Sequence, residues 1–274
     1  MSSTHEVAVG RPAPPSGAWL HGVVRDVDPV VLEAITGLDG GPVRGVSAAG
    51  LVAVVSAAPL DEYGEEPLRR HLEDLAWLER AARAHHGVVE ALARRGPVVP
   101  ARLATVHTDD SLVAGSLVEC AAELLATLDR LTGRAEWGVK GYLVPGVVAR
   151  SGGSEGAGGV GTAYLRRRRA QLTAHEEGRQ AASAAADAVH TALGELAVAS
   201  RRHAPQDRRL SGASTAMVLN GAYLVDRPAL PGFTELVAAL GDRHPGLRLE
   251  LTGPWPAYSF VAERREPAHA GESQ

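Results

Sequence analysis

The sequence predicts an α+β protein of two domains, the C-terminal one a modified ferredoxin-like domain with an antiparallel sheet. Three observations support this fold class. The chain of 274 residues is long enough for two modest hydrophobic cores. In its first half, short apolar strands separated by a tight turn are typical of antiparallel pairing. In its second half, strand and helix patterns follow the order β-α-β-β-α-β, which is the order of a split β-α-β pair.

The predicted domain boundaries follow shifts in composition. Residues 1–17 are rich in Pro, Gly and Ser and contain no apolar segment of the kind a secretion signal needs, so we expect a disordered leader. The N-terminal domain is predicted at 18–132 and the C-terminal domain at 133–262. Within the second domain, residues 151–161 (SGGSEGAGGVG) predict a flexible Gly-rich loop. The charged residues 263–274 predict a disordered tail.

The first domain is predicted to have the element order β, ββ, α, β, α. A hairpin turn at Ala49-Gly50 joins the two middle strands. Asp109 can cap the last helix, which reaches about residue 131. The predicted strands are 18–25, 43–46, 51–56 and 98–106.

A long amphipathic helix is predicted between these strands. It begins at Pro67 and ends at Gly96-Pro97, and it is either continuous or divided near Glu73-Asp74. Apolar side chains at spacings of three and four place one face of this helix on the core. The residues of that face are Leu68, Leu72, Leu75, Leu78, Ala82, His85, Val89 and Leu92.

The second domain ends in an unusual aromatic run. In a chain with only 4% aromatic residues, three lie within six residues, namely Trp255, Tyr258 and Phe260. Gly253-Pro254 predicts a rigid turn, and the period-two spacing after it predicts a second short strand. The other predicted strands of this domain are 135–144, 198–203, 214–225 and 247–251, and its helices are 162–196 and 233–240.

Composition excludes several classes of protein. Cys120 is the only cysteine, so the chain can form no intramolecular disulfide and no cysteine-based zinc site, which fits a reducing cytoplasm. We expect Cys120 to lie buried in the middle of a helix. The net charge of −4 argues against a nucleic acid as a general partner. Because no run of about 18 consecutive apolar residues occurs, we expect no membrane span.

A search for reactive or cofactor-binding residues yields one formal match and no catalytic constellation. Residues 156–161 fit the G-x-G-x-x-G pattern of dinucleotide-binding loops, which is the basis of an alternative function as a nucleotide-binding enzyme. The acidic residue this pattern requires falls at Glu176-Glu177, inside a predicted helix, where it cannot reach a ribose. His85-His86 lack the H-E-x-x-H spacing of a metal site, so we expect packing or surface roles. We therefore predict no catalytic residue, metal or cofactor.

Two groups of residues are candidate partner contacts. Arg166, Arg167, Arg168 and Arg169 lie near the start of a long predicted helix, where they fit either an acidic partner or a solvated basic face. Trp255, Tyr258 and Phe260 form the second group, and the prolines that flank Trp255 reduce the entropy lost on binding. The four tryptophans are otherwise expected to anchor the cores or domain interfaces. RNA binding by the ferredoxin-like sheet is a further alternative, but its central strand offers only Tyr223 for base stacking.

Separated stretches of the sequence resemble the gas vesicle protein F/L family, in the expected order from about Trp19 to Phe260. The matching stretches are LEDLAWLER at residues 72–80, PVVPARLAT at 97–105, EWGVK at 136–140, AYLRRRR at 163–169, LNGAYLV at 219–225 and ELTGPWPAYSF at 250–260. A single motif of this kind would be weak. Six collinear motifs together make the resemblance specific.

The resemblance implies a non-enzymatic protein of gas vesicle assembly, cytoplasmic and associated with the vesicle. Its implied partners are the major gas vesicle shell protein, a small and very hydrophobic subunit of sheet-rich ribs, and other gas vesicle accessory proteins. Before assembly such a subunit exposes apolar surface and unpaired strand edges, which favour aggregation. We therefore hypothesise that a sheet edge around residues 250–260 protects or delivers the subunit by strand addition.

Overall fold

The computed structural model describes residues 16–144, 160–205 and 215–261, and the chain divides into two units between Thr132 and Gly133. The predicted leader up to residue 15, most of the predicted Gly-rich loop and the predicted tail lie outside the described residues. Each unit is built on its own antiparallel sheet.

The N-terminal unit has the sheet order β2-β3-β1-β4, and β5 also pairs with β1. Its elements are β1 Ser16–Val24, α1 Pro29–Glu33, β2 Val43–Ala48, β3 Leu51–Pro59, α2 Leu60–Tyr63, α3 Glu65–His71, α4 Leu75–Ala93, β4 Val99–Pro100, β5 Val106–His107, α5 Asp110–Glu119 and α6 Ala121–Leu131. The predicted β-hairpin is present, with Ala48 opposite Leu51. Strand β1 begins at Ser16, so the last two residues of the predicted leader belong to a strand.

Helix α4 is separate from α3, which is one of the two arrangements that the sequence allows. The Asp74 carboxylate caps α4 by accepting hydrogen bonds from the amides of Ala76 and Trp77. Because the helix axis is interrupted here, Leu72 and Leu75 leave the buried face and are 41% and 79% exposed, contrary to the prediction. The buried face of α4 consists of Trp77, Ala81, His85, Val88, Val89 and Leu92.

Two other predictions for this unit are wrong. The strand predicted at 98–106 is two short strands, β4 and β5, which pair with different parts of β1 on either side of its bulge at Leu20/Gly22. The single helix predicted to reach residue 131 is two helices, α5 and α6, with a bend of 74° between them. Cys120 lies at this bend and is half-buried, not buried in mid-helix.

The C-terminal unit has the sheet order β7-β8-β6-β9, with antiparallel neighbours throughout. Its elements are β6 Arg134–Leu143, α7 Val160–Leu196, β7 Ala199–Arg202, β8 Met217–Asp226, α8 Leu230–Arg243 and β9 Leu247–Trp255, followed by a 3-10 helix at Tyr258–Phe260. The first and third strands are central and the second and fourth lie at the edges. This order confirms the predicted ferredoxin-like arrangement.

Helices α7 and α8 cover one face of this sheet and form its core. Alternate residues of β6 and β8, such as Val139, Leu219 and Tyr223, point into it because successive side chains of a strand face opposite sides. The helices contribute Ala182, Ala186, Val189, Leu193, Phe233, Val237 and Leu240. Burial of one such Phe or Leu side chain stabilises the fold by about 1.5–3 kcal/mol.

The end of the chain departs from the sequence prediction. Strand β9 does not stop at Gly253-Pro254 but continues to Trp255 through a cis peptide bond at that position. Gly253 has a φ of 128°, and a Cβ atom there would lie 3.0 Å from the Glu136 carbonyl oxygen, so a side chain would be strained. Tyr258 and Phe260 lie in the 3-10 helix and not in a second strand.

Candidate functional site

Strand β9 is an edge strand whose outer backbone groups can be assigned from its pairing. The Val144 amide donates to the Gly246 carbonyl, so this pair is hydrogen-bonded across β6 and β9. In an antiparallel ladder, hydrogen-bonded and non-hydrogen-bonded pairs alternate. Leu249 and Leu251, opposite Gly141 and Val139, therefore direct their N–H and C=O groups away from β6. Their side chains are half-buried and pack against the core beneath the helices.

The two ends of this edge differ in chemistry. Arg248 and Glu250 form an ion pair on the face of the sheet opposite the helices, and the Arg248 guanidinium lies 4.7 Å from the centroid of the Tyr142 ring. Beyond Thr252, Pro254 has no N–H to donate. Charged side chains and proline are features that limit open-ended pairing of sheet edges. The edge available for pairing is therefore short and is centred on Leu249 and Leu251.

The terminal 3-10 helix is fastened to the sheet by a buried carboxylate. Glu136 of β6 is 7% exposed and accepts hydrogen bonds from the Ser259 amide at 2.9 Å and the Ser259 hydroxyl at 2.6 Å. Because that hydroxyl donates to Glu136, the bond of 3.0 Å to His203 Nε2 has the imidazole as donor. Burial raises the pKa of Glu136, while the bonds from Ser259 and the charge of Arg201 oppose that rise.

We predict that Ser259→Ala lowers the free energy of unfolding of the C-terminal unit at pH 7 by about 1.5–3 kcal/mol, because it removes a hydrogen bond to a buried charge. It should also raise the pKa of Glu136 further. Urea unfolding gives the first quantity and carboxyl NMR titration the second. In a Glu136→Leu background the same substitution should have a much smaller effect, and an equal effect there would show that Ser259 does not act through the carboxylate.

The aromatic candidates have different exposures. Trp255 is 45% exposed and Tyr258 is 38% exposed, and the Trp255 indole donates to the Thr252 hydroxyl at 3.2 Å. Burial, followed by the charge of Glu136, raises the pKa of Tyr258 to about 12. Phe260 is only 8% exposed and lies among the core side chains, so it offers the least surface of the three rings. The surface beside β9 therefore offers two aromatic rings.

The arginine cluster lies on α7, well before the residues that pack on the sheet. Arg168 and Arg169 are exposed, whereas the side chains of Arg166 and Arg167 lie outside the described part of the structure. The described residues of α7 that join the hydrophobic core run from Ala182 to Leu193. The two described arginines therefore lie on a different element from Trp255 and Tyr258, which belong to β9 and the terminal 3-10 helix.

The geometry does not favour the nucleotide or RNA alternatives. Of the G-x-G-x-x-G match, only Val160 and Gly161 are described, and both lie within helix α7. The adjoining sheet is antiparallel, whereas a dinucleotide site of this kind requires a parallel one. Tyr223, the ring expected to stack on bases, is fully buried under the helices and bonded to His190 at 2.7 Å.

The described residues also lack features of metal centres and single-helix membrane spans. No group of three or more His, Cys, Asp or Glu side chains in the described ranges is arranged to hold a metal ion. Within the same ranges no single helix has the length and hydropathy of a membrane span, and only the bent pair of α5 and α6 meets these criteria when taken together.

A second polar network, absent from the sequence expectations, is buried in the N-terminal unit. The Trp19 indole donates to His85 Nδ1 at 3.1 Å, so the proton of His85 is on Nε2, which donates to the Ala101 carbonyl at 3.2 Å. His21 is 0% exposed and bonds to Ser56 Oγ at 2.8 Å. Burial, followed by the charge of His85, lowers the pKa of His21 to about 3. Burial also lowers the pKa of His85 to about 4.

Comparison with known proteins identifies the relatives of this chain. A family model described as "Gas vesicle synthesis protein GvpL/GvpF" matches residues 17–262. Gas vesicle protein L of Streptomyces sp. strain CB03234 is 42% identical over 254 residues, which cover 92% of this chain and 95% of that protein. Gas vesicle protein F of the same strain is 27% identical, over 89% of this chain and 98% of that protein.

Solved structures show the same fold. The crystal structure of GvpF from Anabaena sp. PCC7120 superposes with a TM-score of 0.63 at 20% identity, covering 93% of this chain and 99% of that one. GvpF from Microcystis aeruginosa gives a TM-score of 0.60 at 18% identity, covering 90% of this chain and 99% of that one.

Proposed function

The chain belongs to the GvpL/GvpF family of gas vesicle synthesis proteins, and we propose that it is an assembly protein that holds the major gas vesicle shell protein on the outer edge of β9. In this role it acts in the cytoplasm through protein–protein contacts and not as an enzyme. It keeps the shell subunit soluble and delivers it to the growing vesicle.

The observation that carries this proposal is the pattern of outward backbone groups on β9. Leu249 and Leu251 each direct one N–H and one C=O group away from β6, and no strand in the described ranges pairs with that side of β9. Such groups are the basis of recognition by strand addition, in which backbone hydrogen bonds give affinity and alternate side chains give specificity. A subunit that forms sheet-rich ribs carries the strand edges that this mode requires.

The surroundings of β9 suit a partner with one apolar and one polar strand face. On the helix side an added strand would lie beside the half-buried Leu249 and Leu251, and apolar side chains would extend the core there. On the opposite side it would meet Arg248, Glu250 and the exposed Trp255. Because the outer edge of β9 is short, it favours the addition of a single strand and not the growth of a larger sheet.

Arg168 and Arg169 provide a second contact in the proposal. Both are exposed guanidinium groups on a long helix, and neither has an ion-pair partner among the described residues. Guanidinium groups bind carboxylates in a bidentate manner. We assign them to an acidic surface of another gas vesicle accessory protein.

Co-expression with the shell protein tests the proposal. We expect the tagged chain to co-purify with the shell protein under native conditions and to raise its soluble fraction above that seen without the chain. A chain with Arg168→Gln and Arg169→Gln should retain the shell protein, since this contact is assigned to a different partner. If the chain purifies alone while the shell protein precipitates, the proposed direct contact is wrong.

A further inference from the structure

A cavity of about 520 Å³ lies in the C-terminal unit beside β8, on the side of helix α7. This volume is within the range of small-molecule and peptide-side-chain sites. Its lining combines cationic and hydroxyl groups from α7 and β7 with an apolar wall from β6 and β8. None of the described lining residues belongs to β9, so the cavity is distinct from the outer edge of that strand.

Two arginines and a serine form the polar side of the cavity. Arg179 and Ser183 stand one turn apart on α7 and so share a face of the helix. Arg202 of β7 is held in place by an ion pair with Asp187 and by a bond of 3.2 Å from its Nη2 to the Val218 carbonyl. These bonds use two of the five N–H groups of Arg202, so the remaining groups can bind a ligand without reorganisation.

The charge of the polar side of the cavity favours a ligand with a single negative charge. Asp187 neutralises one of the two guanidinium groups. Within the residues that the structure describes, Arg179 has no carboxylate at ion-pair distance. Counted over the described lining residues and Asp187, the local charge is about +1. This charge matches a carboxylate, whereas a phosphate near neutral pH carries more negative charge.

The opposite wall is apolar. Leu143, Met217 and Val218 line it, and Met217 is 7% exposed. Such a wall favours a ligand with a hydrocarbon body, because apolar contact excludes water from both surfaces. A short hydrophilic anion would leave this wall unused.

We propose that this cavity binds a carboxylate group carried on an apolar body, with Arg179 and Arg202 holding the carboxylate. Two sources share this chemistry, namely a free aliphatic acid and an acidic residue flanked by apolar residues in a peptide. Arg179 supplies the uncompensated charge, and Ser183 supplies a hydroxyl donor next to it. Met217 contacts the hydrocarbon part.

The sequence offers a selective probe of this cavity. Met217 is one of only two methionines, the other being Met1, so methyl-labelled methionine gives one resonance from the cavity wall. We expect sodium hexanoate to shift the Met217 methyl resonance in a saturable manner, and hexanamide, which lacks the charge, to cause little shift. A peptide, N-acetyl-leucyl-glutamyl amide, forms the second arm, and the tighter of the two ligands identifies the natural source.

Variants and a competing anion make the test decisive. Arg179→Gln should weaken hexanoate binding about tenfold, the effect of losing a hydrogen bond to a charged group. Arg243→Gln, an exposed arginine at the end of α8 that does not line the cavity, should leave binding unchanged. The proposal is wrong if neither hexanoate nor the peptide moves the resonance, if hexanamide binds as well as hexanoate, or if inorganic phosphate binds more tightly than both.

Discussion

Lowering the pH from 8 to 5 should reduce the free energy of unfolding of the N-terminal unit by about 4 kcal/mol, about half from His21 and half from His85. Both imidazoles are buried and neutral in the native state, with pKa values of about 3 and about 4. In the unfolded chain their pKa is near 6.5, so the unfolded state binds more protons below that pH. This contribution to stability is therefore present above pH 6.5. It is lost as the pH falls from 6.5 toward about 4 for His85 and toward about 3 for His21.

The hydrogen bonds of His85 explain why the native state resists protonation. The indole N–H of Trp19 can only donate, and it points at His85 Nδ1. A proton on Nδ1 would place two donors against each other in a buried site. Tyr63, whose ring packs edge-on against Trp19, donates to the Asp39 carboxylate, and burial followed by that bond raises the pKa of Tyr63.

Urea unfolding between pH 8 and pH 5, followed by tryptophan fluorescence, measures this effect. A background with Trp137→Phe and Trp255→Phe leaves Trp19 and Trp77 as reporters of the N-terminal unit. His85→Gln should remove about half of the pH dependence, whatever its effect on absolute stability. Arg95→Gln, at an exposed position just beyond α4 that does not titrate in this pH range, is the control and should leave the dependence intact. An unchanged slope in His85→Gln would contradict the assignment.

Local sequence patterns were sufficient for much of the fold. The paired strands β2 and β3 follow from alternation and a turn at Ala49-Gly50, and the ferredoxin-like order of the C-terminal unit follows from the sequence of elements. Asp74 is a helix-capping residue type at a position where the helical pattern allowed a break. In these cases the residues that determine the structure are neighbours in sequence.

The errors arose where distant contacts determine the structure. Val113, Leu117, Leu124, Leu128 and Leu131 recur at spacings that suit one continuous helix, yet the chain bends at Cys120 so that both segments bury them. No proline marks the bend. The division of the predicted strand at 98–106 likewise depends on the bulge in β1, about 80 residues earlier in the chain.

In the candidate site, too, burial depends on contacts between residues that are distant in sequence. Alternation along β6 places Glu136 on the face opposite the helices, and this pattern normally indicates a solvated carboxylate. Its burial depends on Ser259, 123 residues away in sequence. The terminal 3-10 helix buries Phe260 and leaves Tyr258 partly exposed. Period-two spacing predicted a strand here, in which both rings would lie on one face.

Replacing Leu249 by proline should abolish co-purification of the shell protein if β9 binds it by strand addition. Proline removes an N–H that points away from β6, so the ladder with β6 is kept, and its ring obstructs an approaching strand. Leu249→Ala is the matched control, since it shortens the same side chain and keeps the N–H. We expect the alanine variant to retain the partner and the proline variant to bind it at least about tenfold more weakly.

A proline at Glu250 separates loss of binding from loss of fold. By the alternation of the ladder, the N–H of Glu250 points to Lys140 on β6, so Glu250→Pro should disrupt the sheet itself. Circular dichroism and thermal unfolding should show a native fold for Leu249→Pro and a destabilised one for Glu250→Pro. If Leu249→Pro is folded and still binds the shell protein as the alanine variant does, the contact does not involve the outer edge of β9. The exposed ring of Trp255 would then be the next contact to test, with Trp255→Ala in the same co-purification.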